Sequence, residues 1–157
     1  MVLVTEAQVT QAQQEWGTGI VEIGKLKDTF TECESYASAF LDRLYAFETG
    51  DVLFKPTKCA VEQFRLNKAR GISYFIAGEN RECKEDKGFA LAPWTKVRFE
   101  NAGVILEDNR AIAMGNYFFT DVEGNEAKVE YTFGYKLVNG ALKIDVHHSS
   151  FPYVISA

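Results

Sequence analysis

The chain is poor in the residues that carry the commonest site chemistries. Its 157 residues include three cysteines, Cys33, Cys59 and Cys83, 26 and 24 positions apart. None forms a CxxC pair, so zinc-ribbon spacing is absent, and the odd, widely spaced set reads as buried free thiols in a reducing compartment. The only two histidines, His147 and His148, are adjacent. Neighbours on a strand point to opposite faces and do not converge on one ion, whereas a catalytic zinc takes three protein ligands; no metal is expected. No apolar run approaches the roughly 18 residues that span a bilayer, and no basic-then-apolar leader opens the chain. Lys and Arg number 17 against 22 Asp and Glu, a formal charge of −5. Nucleic acid and anionic membranes need clustered cations to displace counterions, so neither is an expected partner. GxGxxG, Walker-type and GxSxG motifs are missing, which leaves nucleotide cofactors and hydrolase elbows unsupported. There is no internal repeat, low-complexity tract or linker.

What the chain does have is apolar and aromatic. Hydrophobic residues make up 46%, with 12 Phe, 7 Tyr and 2 Trp. That is enough to bury a sizeable core in one soluble domain spanning 1–157. Two helices are expected first, starting near residues 6 and 32. Thr5 with Gln8, and Thr31 with Glu34, form capping-box spacings. Cys33, Ala37, Phe40, Leu44 and Phe47 share a face of the second helix, with Gly50 as its C-terminal stop. Gly17, Gly19 and Gly24 predict a kink or break in the first. Val52 to Phe54 and Ser73 to Ala77 read as short strands, and the charged stretch Glu79 to Lys87 as a solvated connection without function.

After residue 94 the period becomes 2, with hairpin punctuation. Val97 to Glu100, a turn at Asn101 to Gly103, Val104 to Glu107, Ala111 to Thr120, Lys128 to Val138 and Ala141 to Ser150 compose a meander, and Asn139-Gly140 is its strongest turn signal. Helices followed by an antiparallel sheet give an α+β order, in which a concave sheet backed by helices encloses a pocket. On the last strand Leu142, Ile144 and Val146 share parity with His148 and Ser150. Strict alternation therefore puts His148 and Ser150 in the pocket and turns His147 and Ser149 toward solvent or a subunit partner, an assignment that a bulge reverses. Thr57 after Pro56, and Tyr74 between Ser73 and Phe75, are further hydroxyls of interest. Thr57 also suits a cap and Tyr74 a core edge.

Several longer strings carry a resemblance: Val52-LFKPT57, Ser73-YF75, Gly88-FALAPWTKVRFEN101, Ala113-MGNYFFTD121, Val129-EYTFGY135 and His147-HSSFPY153. Over about residues 31 to 153 the chain resembles the iota-class carbonic anhydrases, whose members are similar to the association domain of calcium/calmodulin-dependent kinase II and to SnoaL-like cone folds. The resemblance implies a cone of N-terminal helices on a strongly curved, mainly antiparallel sheet. It also implies a homodimer and reversible hydration of carbon dioxide to bicarbonate without metal or other cofactor, in cyanobacteria and plastid-bearing algae. The implied location is cytoplasmic, or the plastid stroma if a targeting segment has been removed. Thr57, Tyr74 and Ser150 resemble the family's pocket hydroxyls, with His148 beside them.

A metal-free pocket forgoes the lowering of bound-water pKa from about 15.7 to about 7 that zinc supplies, roughly 12 kcal/mol at about 1.36 kcal/mol per unit. Water must then lose its proton as it attacks carbon. His148 is the expected general base, with Thr57, Tyr74 and Ser150 donating to the developing bicarbonate oxygens. A SnoaL-like isomerase or hydrolase on the same cone would need an inward carboxylate, and Glu130 and Asp145 fall among polar neighbours. A noncatalytic association module is the other alternative.

Overall fold

A computed structural model of the protein describes residues 3–156. Helix α1 covers Glu6–Lys25 and opens on the expected capping box, in which the Thr5 side chain accepts from the Gln8 backbone and the Gln8 side chain accepts from the Thr5 N–H. It runs through its glycines without the expected break. Close packing is what requires them: a Cβ at Gly19 would lie 2.4 Å from the Phe40 ring, and one at Gly24 2.8 Å from the Ala90 carbonyl. Helix α2 covers Phe30–Leu44. It begins after Thr29 without a side-chain cap, so the Thr31 box is not used, and a short 3₁₀ turn at Phe47–Thr49 carries the chain to Gly50. Cys33, Ala37, Phe40 and Leu44 lie on its buried face as expected, whereas Phe47, expected on the same face, lies in the 3₁₀ turn beyond the helix's end.

Strand β1 is Leu53–Lys55. Helix α3 covers Lys68–Ile76, where a strand was expected over Ser73 to Ala77. The Asn67 side chain accepts the Arg70 N–H at 3.0 Å and starts the helix, and Ala77 ends it at a positive φ of 51°. The run Ser73-Tyr-Phe-Ile-Ala77 is too short for periodicity to separate a buried strand from the last turn of a buried helix.

Four long strands follow: β2 (Lys96–Leu106), β3 (Arg110–Thr120), β4 (Glu126–Val138) and β5 (Ala141–Ser150). The expected turn at Asn101 to Gly103 is a bulge inside the continuous strand β2. The five-stranded sheet has the order β1-β5-β4-β3-β2, antiparallel except for the parallel β1–β5 pair at its edge. Two register shifts, between Asn101 and Gly103 and between Gly134 and Tyr135, bend its strands. The helices cover one face. There Trp16, Phe40, Phe54, Phe75, Tyr117, Phe119, Tyr131 and Phe133 form an aromatic core.

Candidate active site

The register shift decides which histidine is inside. In β4 and β5, Tyr135 pairs with Ile144 and Gly134 with Val146, so Asp145 is the extra residue and the parity of β5 changes there. Ile144, His147 and Ser149 point to the core, with His147 2% and Ser149 1% exposed. His148 and Ser150 lie on the opposite face, paired with Thr132 and Glu130. His148 is exposed, and the Ser150 hydroxyl donates to Glu130 Oε1 at 2.8 Å. The expected facing of His148 and Ser150 is therefore reversed. The displaced Val146 sits over Gly134, where a Cβ would come within 2.9 Å of it. Arg110 forms a two-point ion pair with the bulged Asp145, at 2.8 and 3.1 Å.

The inward pair belongs to a chain of hydrogen bonds. Trp16 Nε1 donates to Tyr45 Oη at 2.9 Å, and Tyr45 Oη lies 2.8 Å from His147 Nδ1. On the other side of the ring, His147 Nε2 lies 3.0 Å from Tyr117 Oη, which donates to Ser149 Oγ at 2.6 Å. Ser149 Oγ is 2.6 Å from Thr57 Oγ1. Each element contributes through its register. β1 runs parallel to β5 with Phe54 opposite His147, so the chain leaving β1 through Pro56 brings Thr57 to Ser149. Lys55 Nζ donates to the Ser149 carbonyl at 2.9 Å and holds this edge closed. Tyr74, on α3, accepts the Lys58 N–H at 3.2 Å beside Thr57. Thus Thr57 and Tyr74 are placed at the network and His148 and Ser150 are not. Tyr117, Tyr45 and Trp16, which sequence reasoning did not single out, complete it.

Burial sets the protonation states. Desolvation, and secondarily the neighbouring His148, hold the His147 imidazole well below the usual histidine range, so it is neutral at neutral pH. Phe54 stacks on it at 4.8 Å, and the Phe133 ring centroid lies 4.1 Å away. The expectation of an inward His148 as general base is thereby corrected: the inward ring is His147, and its burial disfavours the protonated form. Burial also raises Tyr74 and Tyr117 above the usual tyrosine range, so both keep their phenolic protons. Glu130 and Asp145 are occupied by Ser150 and Arg110 on the outer face, and among the described residues no carboxylate joins the inner network.

The stretch Glu79 to Lys87 is not a plain solvated connection. Asp86 and Arg65 are buried and paired at 2.7 and 2.8 Å, and Ser73 Oγ donates to Asp86 at 2.5 Å. Glu85 accepts the successive N–H groups of Ala60, Val61 and Glu62, which lower its carboxyl below the usual range. These two carboxylates tie the loop carrying Thr57 to the helix carrying Tyr74. A cavity of about 460 Å³ opens against Tyr74, lined by the apolar Phe89, Leu91 and Trp94 and by the charged Lys58, Glu85, Asp86 and Lys87. Among the described residues no group of three or more His, Cys, Asp or Glu side chains is arranged to hold a metal ion.

Comparison with known proteins agrees over nearly the whole chain. The family profile described as metal-independent carbonic anhydrase matches residues 7–151. A metal-independent carbonic anhydrase from Nostoc sp. (strain PCC 7120) is 38% identical over 154 residues, covering 96% of this chain and 75% of the relative. The crystal structure of an iota-carbonic anhydrase from a cyanobacterium, complexed with bicarbonate, superposes with a TM-score of 0.91 at 36% identity, covering 97% of this chain and 94% of the other. A putative calcium/calmodulin-dependent protein kinase II association domain from Xanthomonas campestris shares the fold, with a TM-score of 0.61 at 24% identity over 96% and 91% of the two chains.

Proposed function

Because the chain belongs to the metal-independent carbonic anhydrase family, it is a carbonic anhydrase, and we propose that its hydration of carbon dioxide runs at the hydroxyl cluster of Thr57, Tyr74 and Ser149. The observation that carries this reading is the polar chain ending at Ser149 and Thr57, 2.6 Å apart, at the edge of an otherwise aromatic core. Ser149 is buried, Thr57 half-buried, and the cavity, part of whose wall is Phe89, Leu91 and Trp94, reaches the cluster at Tyr74. Carbon dioxide is apolar and suits such walls; bicarbonate is an anion and suits the donors.

In the reaction a bond forms between the water oxygen and carbon, one C=O electron pair moves onto oxygen, and the water proton leaves. A neutral His147 held well below its usual pKa does not store that proton, and the chain behind it ends at the indole of Trp16, a donor without a lone pair to accept it. The proton therefore exits on the Thr57 side, to solvent. Hydroxyl donors stabilise the charge growing on the bicarbonate oxygens, each hydrogen bond to a charged group contributing about 1.5–3 kcal/mol. Neutral donors release the anion more readily than a buried cation would.

The test is carbon dioxide hydration by chelator-treated protein and by Tyr74→Phe and Thr57→Val. Activity in the treated wild type with about tenfold or greater loss in each variant is the expected result. Full activity in both variants rejects the site. We further infer that two copies pair as a homodimer through the outer face of the sheet, where Met114 and Ile112 stand 55% and 36% exposed. Sedimentation showing a monomer at high concentration rejects the pairing.

A further inference from the structure

The hydrogen-bond chain has a direction, set at the end remote from the hydroxyls. An indole N–H donates and cannot accept. Trp16 Nε1 therefore donates to Tyr45 Oη, and the single phenolic proton of Tyr45 is left for His147 Nδ1, 2.8 Å away. Trp16, Tyr45 and His147 are all nearly inaccessible to solvent, so water does not readily substitute for any of these partners. With Nδ1 accepting, the one proton of a neutral ring is on Nε2 and donates to Tyr117 Oη, 3.0 Å away. Tyr117 then donates to Ser149 Oγ, whose proton is free for Thr57 or for the substrate. Were the ring protonated on Nδ1 instead, Nε2 would accept from Tyr117, Ser149 would donate back to Tyr117, and Thr57 to Ser149. The mouth would then present lone pairs to an anion.

We propose that Trp16 and Tyr45 are positioning residues for the hydration reaction: they fix His147 as the Nε2–H tautomer and thereby aim the one hydroxyl proton left free at the end of the Ser149–Thr57 pair at the bicarbonate oxygens. The inference rests on the functional reading above in one respect, that the Ser149–Thr57 pair donates to the product anion. The tautomer itself does not depend on it. Neither Trp16 nor Tyr45 touches the reacting atoms; they act through His147 and Tyr117.

The test combines ¹⁵N NMR of histidine-labelled protein with kinetics. In the wild type at pH 7.5, His147 is expected to show a protonated Nε2 and an unprotonated Nδ1. Tyr45→Phe keeps the ring in its packing and removes the donor to Nδ1, so the tautomers should mix and kcat should fall by about tenfold with KM little changed. Trp16→Phe leaves Tyr45 free to reverse and should lower kcat several-fold with the same spectroscopic mixing. A wild-type His147 protonated on Nδ1 overturns the proposal, and that measurement needs no variant to fold. A wild-type Nε2–H ring together with full kcat in folded Tyr45→Phe and Trp16→Phe overturns the positioning role. Full activity in Ser149→Ala overturns the functional reading, while the tautomer assignment stands.

Discussion

Ser149→Ala deletes a hydroxyl that lies 2.6 Å from both Tyr117 Oη and Thr57 Oγ1 and changes little else in shape. Losing one hydrogen bond to the charge that develops in the transition state removes about 1.5–3 kcal/mol. At about 1.36 kcal/mol per factor of ten, that lowers kcat roughly 10- to 150-fold. Stability falls as well, because the Tyr117 hydroxyl is left buried without its acceptor, at a cost of about 1–3 kcal/mol. For a domain of this size each kcal/mol shifts Tm by about 2–4 °C, so rates must be measured at 25 °C per folded molecule. Ser150→Ala is the internal control. Its hydroxyl meets Glu130 on the outer face, where substitutions usually stay within about 0.5 kcal/mol, and its kcat should remain within about twofold of wild type. Stopped-flow hydration with a pH indicator, paired with a circular dichroism melt of each variant, reads both quantities. Equal losses for the two serines at equal folded fraction, or wild-type kcat in Ser149→Ala, would refute the reasoning.

Two further outcomes follow from the buried charges. Asp86→Asn removes the charge facing Arg65, both side chains being 0% exposed; an uncompensated buried charge costs about 3–5 kcal/mol, so the melting temperature should drop by roughly ten degrees, and a change under about two degrees would show that the pair holds nothing together. Stability should also decline below about pH 6.5: there the unfolded chain binds a proton at His147 while the folded chain, whose imidazole is depressed by burial, does not, giving a slope of up to about 1.4 kcal/mol per pH unit. Urea titrations at pH 7.5, 6.5 and 5.5 should show that slope shallower in His147→Gln, and an identical slope in that variant would mean that His147 is not held neutral.

Much of the architecture is legible in the residues themselves. The Thr5–Gln8 box, the apolar face of α2, and the long alternating strands with Asn139-Gly140 between the last two are all local signals, and each appears where the pattern puts it. Ser73 to Ala77 was misread because five apolar or small residues contain no full helical period, while the decisive signal, the Asn67 cap, lies six residues upstream. The loop Glu79 to Lys87 was misread for a different reason. Its charge looks solvated one residue at a time, and only the fold reveals that Asp86 meets Arg65, 21 positions earlier.

The histidine pair shows most sharply where local reading stops. Leu142, Ile144 and Val146 alternate cleanly, and strict period 2 carries that alternation on to His148 and Ser150. One inserted residue, Asp145, reverses everything after it. The cue was on the partner strand: Gly134 lies on the face of β4 opposite Tyr131, Phe133 and Tyr135, and glycine inside a strand marks a bulge or a close approach. Gly134 supplies the room that lets Val146 cross to the outer face, with Arg110 against Asp145 on the same side. A side chain at position 134 should therefore push Val146 back and weaken the very bulge that turns His147 inward. The chemistry of the site thus depends on a residue that has no side chain and does not touch the hydroxyl network.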